Sequence, residues 1–544
     1  VSPGAPPGGP GRGKLAYAAL LAGIGAVGIA VHAWFALGAD ALDSDRALIL
    51  LMARRFAQGD LSVFLWEQNY MLALEPLLLT PLAAVGWATP VAAGLVGVTL
   101  TAALAALSVG LARRLGGAPW MALLVWAVAP ALVVHHHVAL YGARLAATLL
   151  AVAAFAWSLR ARSRDTWIAV GVLVGVSFFA DHLMLLWAAA VVFVAARRGA
   201  LRPLAAGALP VVALDVLVSS LMPAVHLSGP NDPGHWLWNV ARLFGVALPQ
   251  LFGFLLSRGP TPTFEALTPL VPQGLLWPAL ALPGAAALAA LAVTLLRHRR
   301  GIFGAAAPHG GTAAQALLLA CAVGLGLFAF VGGGGDIWSV RYLVPLWPAI
   351  SVLAAMAVQR WSGRLRPLAA VAVLPAAFTL LADGAWPRAG DGAAARAEAA
   401  LAGEAVRAAG AKAVYTDYWD TYRLELLTGS AVPWLTLTII ERHPEAARGA
   451  LQASPVAYLL RPGHTGALDA LADAPASGAR ILEERDVGRF RLVVTDRPLP
   501  GVAKPGTPGS RAWQVAAAVG AGLLFLGMLL GVGLLGGRTA RGRP

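Results

Sequence analysis

Apolar runs long enough to cross a bilayer, roughly 18–22 residues each, recur along this chain, and nearly every break between them carries arginine. A chain patterned this way cannot hide its apolar surface in one water-soluble core. It has 544 residues, of which 58% are hydrophobic and 12% charged, with a mean hydropathy of +0.70. A soluble protein carries about twice that share of charge. Twelve runs read as membrane spans: 15–35, 88–111, 118–134, 145–159, 167–180, 183–196, 204–222, 274–296, 313–331, 343–358, 367–382 and 513–536. Backbone in lipid must satisfy its own hydrogen bonds, so each run is expected to be helical. The fold class read from the sequence is mainly α, a polytopic membrane helix bundle of about 12 spans.

The arginines orient the bundle. If the spans alternate, one set of segments carries Arg12/Lys14, Arg113/Arg114, Arg160/Arg162/Arg164, Arg197/Arg198/Arg202, Arg297/Arg299/Arg300, Arg360/Arg364/Arg366 and Arg538/Arg541/Arg543. The opposite set has only Arg46, Arg54, Arg55, Arg144, Arg242, Arg258 and Arg341 outside one large polar segment. Cytoplasmic loops hold the basic excess. Both termini are therefore expected in the cytoplasm, with the loop 36–87 and the segment 383–511 outside. The net charge of +14 follows from span ends and gives no reason to invoke nucleic acid. The Pro/Gly-rich stretch 1–14 is expected to be disordered. The first run is too long for a cleaved signal and is expected to stay as a span. The one cysteine, Cys321, lies in an apolar run, which leaves no intrachain disulfide or cysteine metal cluster.

Segment 383–511 differs in composition, with 15 basic and 15 acidic residues and short apolar runs. Residues 391–410 read as a helix, AKAVYT and PVAYLL as buried strands, and ILEERDVGRFRLVVT as a hairpin turning at Gly488. A small extracytoplasmic α/β domain is expected there, followed by 512–544 as the last span and a basic tail.

Carboxylates are scarce before residue 380, and half of them crowd into 40–75: Asp40, Asp43, Asp45, Asp60, Glu67 and Glu75. Ionisable groups at a membrane are costly and mark function by default. The run after Asp45, RALILLMARRFAQ, is amphipathic and is expected to lie along the outer membrane surface, with Arg46, Arg54 and Arg55 as its polar side. Ser44 and Asp45 are good helix caps. A carboxylate at headgroup depth is equally placed to take a proton from an attacking hydroxyl. Farther along, Arg341 opens RYLVPLWP at the outer end of a run, where a planar guanidinium suits a phosphate.

These two stretches resemble the GT-C class of membrane glycosyltransferases, which includes protein O-mannosyltransferases and the aminoarabinose transferases that modify lipid A. The class carries an acidic motif after its first span, then an amphipathic helix and a Gly/acidic turn. The residues that match are Asp45, Gly59-Asp60, Gln68-Asn69-Tyr70-Met71 and Leu74-Glu75, and RYLVPLWP matches a late Arg-Tyr-Leu-x-Pro-x-x-Pro motif. Where the family has a second adjacent acid this chain has Arg46, and Asp43 stands two residues before Asp45. The resemblance implies a sugar moved from a polyprenyl-phosphate donor to a glycan, lipid or protein acceptor at the outer face of a bacterial cytoplasmic membrane. It implies Asp45 as general base assisted by Asp43, Arg341 on the phosphate, and Tyr342, Gln68, Tyr70 and Glu75 around the donor. The Asp-x-Asp spacing leaves a divalent metal open, and no other cofactor is implied.

Further residues are candidates on their own chemistry. His135-His136-His137 do not share a helix face and are expected as an outer-surface cluster, with His137 a possible additional contact. Arg144 suits a carboxylate or a phosphate. His182 is either reactive or hydrogen-bonded beside Asp181. Asp215 lies in a run and needs a partner the sequence does not name. A transporter or flippase of a lipid-linked glycan is the alternative, as is a non-catalytic relative. Midplane charges and internal repeats would mark a transporter, but the acids cluster at the surface and no repeat is evident. The orientation is open to a direct test. A cysteine introduced beside Gly390 should react with an impermeant thiol reagent in intact cells, and one beside Arg299 should not. Equal labelling would overturn the topology.

Overall fold

The computed structural model describes residues 11–38, 44–66, 68–221, 233–254, 276–297, 310–331, 341–382, 391–429, 432–437, 449–461 and 478–499. Asp43, the stretch 332–340 and the run 513–536 with its tail lie outside these residues.

The described chain is mainly helical. Helices α1 (Gly11–Leu37), α2 (Ser44–Ala57) and α3 (Leu74–Ala84) come first, with a short antiparallel pair, β1 (Phe64–Leu65) and β2 (Gln68–Leu72), between α2 and α3. Then follow α4 (Pro90–Arg114), α5 (Pro119–Ala127), α6 (Ala131–Val138), α7 (Arg144–Ser158), α8 (Arg164–Ala180), α9 (Leu185–Arg197) and α10 (Leu201–Leu221). The bundle continues with α11 (Pro233–Arg242), α12 (Leu276–Arg297), α13 (Gly310–Val331), α14 (Trp347–Gln359) and α15 (Leu374–Ala382). Helix α1 begins at Gly11, so the helix takes in the last residues of the stretch expected to be disordered.

Four of these helices have the length and apolar composition to cross a bilayer alone: Lys14–Leu37, Pro90–Arg114, Leu201–Ser219 and Gly311–Ala329. The expected span 118–134 is instead two helices, α5 and α6, meeting at 88°. Pro130 causes the break, because it offers no N–H and disfavours helix in the residue before it. Local sequence sets the other starts. Thr89 caps α4 by accepting from Ala92 N at 3.2 Å, with Pro90 next, and Ser163 caps α8 by accepting from Thr166 N at 3.2 Å.

Three of the basic breaks meet at one end of the bundle. Arg198 donates to the carbonyls of Ser158, Leu159 and Ala161 at 3.0–3.4 Å, and Arg114 donates to Leu159 O at 3.3 Å. The guanidinium groups thus satisfy carbonyls left open at a helix C-terminus.

Beyond the bundle, α16 (Asp391–Ala408) leads into an α/β unit with β3 (Ala413–Thr416), α17 (Tyr418–Thr428), β4 (Trp434–Thr436), β5 (Val456–Leu460), β6 (Ile481–Val487) and β7 (Phe490–Thr495). The strand order is β4-β3-β5-β7-β6. Strand β3 runs parallel to β4 and β5, and β7 is antiparallel to β5 and β6. The β6–β7 turn needs the left-handed backbone of Gly488, φ +58°. Val414, Leu424, Trp434, Leu459 and Leu492 pack one face of the sheet.

Helix α17 packs on α2, and this corrects the expected placement of α2. Nine of its fourteen residues are buried, Arg46 among them. The helix is sandwiched between the bundle and the α/β unit, so its amphipathic pattern serves two protein partners rather than a membrane surface.

Helices α4 and α6 touch through Gly97, where any Cβ would collide with the Val138 carbonyl, whereas a Cβ on Gly110 of the same helix meets nothing within 4 Å. Alanine is the better helix former by about 1 kcal/mol. Gly110→Ala should therefore hold or raise the melting temperature of the purified protein. Gly97→Ala should lower it, by about 1–3 kcal/mol of overpacking. Equal behaviour of the two variants would contradict this packing.

Candidate active site

Asp45 lies in the first turn of α2, and Arg341 lies 296 residues later, just before α14. The fold joins them, with Arg341 Nη1 donating to Asp45 Oδ2 at 3.3 Å. The two side chains are 13% and 26% exposed, so neither is sealed in. Arg341 Nη2 also donates to the Tyr342 hydroxyl at 3.3 Å. Burial works against the charge on Arg341, but Tyr342 and Asp45 outweigh it and hold its pKa well above the ordinary value.

Arg144 opens α7 and also lies over the Tyr342 ring. The two guanidinium carbons lie 5.2 Å (Arg341) and 5.3 Å (Arg144) from the Tyr342 ring centre. The Nε of Arg144 donates to Asp181 Oδ2 at 3.1 Å, a buried pair that fixes the side chain. Of the partners the sequence allowed for Arg144, the structure shows the carboxylate. Beside these groups is a small pocket, with room for little more than one water-sized molecule, whose polar lining includes His136, His137, Tyr141, Arg144 and Arg341. Two guanidinium groups on one small pocket form a seat for an anion.

Glu75, which the resemblance puts around the donor, is not itself on the pocket wall but bonds to Tyr141 and Leu145, which are. The residue is fully buried, and its oxygens accept from Tyr141 N at 2.6 Å and Leu145 N at 2.8 Å. It caps the start of α7, the helix that carries Arg144. Burial raises its carboxyl to about 7, against the pull of those backbone N–H groups. The chain can turn there because Gly142 takes φ +97° and lies against Met71. Gln68 starts β2, paired with Leu65. Tyr70 lies on the same strand, and its side chain is outside the described residues.

The three histidines are buried on α6, contrary to the expected surface cluster, because the bend at Pro130 turns this helix inward. His137 Nδ1 lies 3.4 Å from His32 Nε2, and its ring packs on Trp126. His136 Nδ1 lies 3.0 Å from the Tyr141 hydroxyl. Arg46 donates to His135 O at 3.2 Å. Asp215 finds its partner in His182, with Nε2 and Oδ2 2.9 Å apart, and it accepts from Ser219 Oγ at 3.1 Å. His182 stacks on Phe178, and its bond goes to Asp215 rather than to its chain neighbour Asp181, which is held by Arg144.

Among the described residues, no three His, Cys, Asp or Glu side chains are grouped to hold a metal ion. Sequence reasoning missed Tyr141 on the pocket wall and Tyr418 of the α/β unit, whose hydroxyl reaches Asp45. The only signal for either was the scarcity of tyrosine, eight in the chain.

No protein-family model matches this chain, and no curated protein is significantly similar to it. Among solved structures it is similar to the crystal structure of ArnT from Cupriavidus metallidurans bound to undecaprenyl phosphate. The TM-score is 0.52 at 14% identity, over 90% of this chain and 99% of that one. The apo state of ArnT aligns with a TM-score of 0.49 at 14% identity, over 91% of this chain and 100% of that one. Identity at this level speaks for architecture and leaves residue roles to the geometry above. In architecture, then, the chain is similar to ArnT over nearly the whole length of both proteins.

Proposed function

We propose that this protein is an integral membrane glycosyltransferase that moves a sugar from a polyprenyl-phosphate donor to an acceptor at the outer face of the membrane. The observation that carries this reading is the Asp45–Arg341 pair beside the pocket shared with Arg144. A candidate base and two phosphate-binding cations converge there, in a fold whose crystallised relative holds undecaprenyl phosphate.

In this reading the donor phosphate is held by Arg341 and Arg144, whose planar forks match its oxygens. The acceptor hydroxyl attacks the anomeric carbon while Asp45 takes its proton. The bond from that carbon to the phosphate oxygen breaks, and polyprenyl phosphate leaves with the electron pair. Arg341 stabilises the charge that develops on it. Arg341 also contacts Asp45, at 3.3 Å. An incoming phosphate competes for the same guanidinium and releases Asp45 Oδ2 for the proton.

Substitution separates catalysis from helix capping. Asparagine caps nearly as well as aspartate, so Asp45→Asn should leave thermal stability within about 1 kcal/mol. Transfer should slow by roughly 10²–10⁴-fold if Asp45 is the base. Asp43→Asn, measured in parallel, shows which acid carries the role. Both are assayed on purified protein with a lipid-linked donor, with and without a chelator. Near-normal turnover in both variants and in the double variant would sink the base assignment.

The phosphate assignment has its own test. Arg341→Lys should weaken donor binding and Arg341→Ala should weaken it more, because lysine keeps charge but loses the fork. Normal donor affinity and turnover in Arg341→Ala would remove Arg341 from the donor site.

A further inference from the structure

The fold brings to Asp45 a group that lies far from the acidic loop in the chain. Tyr418, the first residue of α17, donates its phenolic O–H to Asp45 Oδ1 at 2.5 Å. That is the short end of the range for a hydroxyl on a carboxylate. Arg341 holds the other oxygen, Oδ2. The same helix is tied to the residue before Asp45, because Tyr422 N donates to Ser44 Oγ at 3.2 Å. Tyr418 itself is 2% exposed.

The α/β unit presents this phenol rigidly. Asp417 caps α17 by accepting from Trp419 N at 3.0 Å. Arg461, directly after β5, makes two bonds of 2.5 and 2.6 Å to Asp420 of α17, and Arg423 makes a third at 2.6 Å. The sheet topology gives this end a second significance. Strands β4 and β5 are both parallel to β3 and lie on opposite sides of it. The strand order therefore reverses beside β3, and open α/β sheets hold ligands at the carboxyl ends of strands where that happens. Tyr418 stands two residues beyond β3 at that end.

We propose that Tyr418 is a positioning residue for Asp45, so that the α/β unit completes the catalytic centre that the bundle alone leaves unfinished. This rests on Asp45 being the base of the proposed transfer. With Oδ1 held by Tyr418, the carboxylate keeps its orientation when Arg341 turns to the donor phosphate, and Oδ2 faces the acceptor. Held geometry of this kind is a large part of catalytic rate, and a misplacement of about 1 Å costs on the order of 10²-fold.

Arg341 before α14 and Tyr418 of α17 both contact Asp45, and the Tyr342 hydroxyl accepts from Arg341. Arg46, next in the chain, is turned to the His135 carbonyl. Tyr418→Phe in the full-length protein removes one hydroxyl from this set. With a lipid-linked donor, kcat should fall about 10–100-fold while KM for the donor stays within about twofold. The acid limb of the kcat–pH profile should move to higher pH, because a donor that favours the ionised carboxylate is gone. In an Asp45→Asn background the same change should cost nothing more, since it acts through that carboxylate. An unchanged kcat and profile, or a loss that persists in full in the Asp45→Asn background, overturns the proposal. If Tyr418→Phe does not fold, 3,5-difluorotyrosine at 418 keeps the ring and strengthens the donor. It should move the acid limb to lower pH, and a fixed limb overturns the proposal. The two readings fail separately. Full turnover by Asp45→Asn sinks the base and this inference with it. A slow Asp45→Asn beside a normal Tyr418→Phe sinks the inference alone.

Discussion

A charge withdrawn from water needs a partner at once, and this fold is arranged around that demand. Glu75 meets the N-terminus of α7, Arg144 meets Asp181, His182 meets Asp215, and Arg46 meets the His135 carbonyl. Each contact joins segments far apart in the chain, and removing one partner of a buried ion pair costs roughly 3–5 kcal/mol. The effect at the pocket is geometric. Glu75 fixes where α7 starts, and Asp181 fixes which way Arg144 points. Asp45 with Arg341 is the looser case. Both side chains are partly exposed and their contact is 3.3 Å long. A pair of that kind is worth much less than a sealed one, so a phosphate can open it without dismantling the bundle.

The sequence showed which segments are helices but not always what covers them. Apolar runs among the described residues became helices, the arginine-bearing breaks 113–114, 160–164 and 197–202 gathered at one end, and the hairpin turned at Gly488. Motifs 296 residues apart came together at Asp45 and Arg341. The misreadings share one physical cause. A hydrophobic pattern reports that a face is buried, and it is silent on whether lipid or protein does the burying. Helix α2 was therefore expected on a membrane surface when α17 covers it. The bend between α5 and α6 had a visible cause in Pro130, but the apolar run around it is continuous and hid the break.

Glu75 shows a different limit. A carboxylate that accepts from backbone N–H groups and one that contacts a substrate need the same side chain, so residue type cannot separate them. Only its surroundings could: full burial, with both oxygens turned to the start of α7. Asp45 has the mirror-image ambiguity, since it stands in the first turn of α2, where any acid is favourable. Its environment resolves differently. Its oxygens reach Arg341 and Tyr418, two side chains far from it in the chain.

That difference bears on the order of events in the proposed transfer. Asp45 and the donor phosphate both need Arg341, and a guanidinium has one fork to give. While Arg341 stays on Asp45, one carboxylate oxygen is occupied and the base is neutralised. Once a phosphate draws Arg341 away, the carboxylate gains a free oxygen and the pocket gains negative charge, which Arg144 is already placed to offset. In the proposed transfer, donor binding would thus raise the basicity of Asp45 before the acceptor gives up its proton. Tyr418 matters most in that loaded state. Its hydrogen bond to Oδ1 does not depend on Arg341, and it comes from the α/β unit rather than from the bundle.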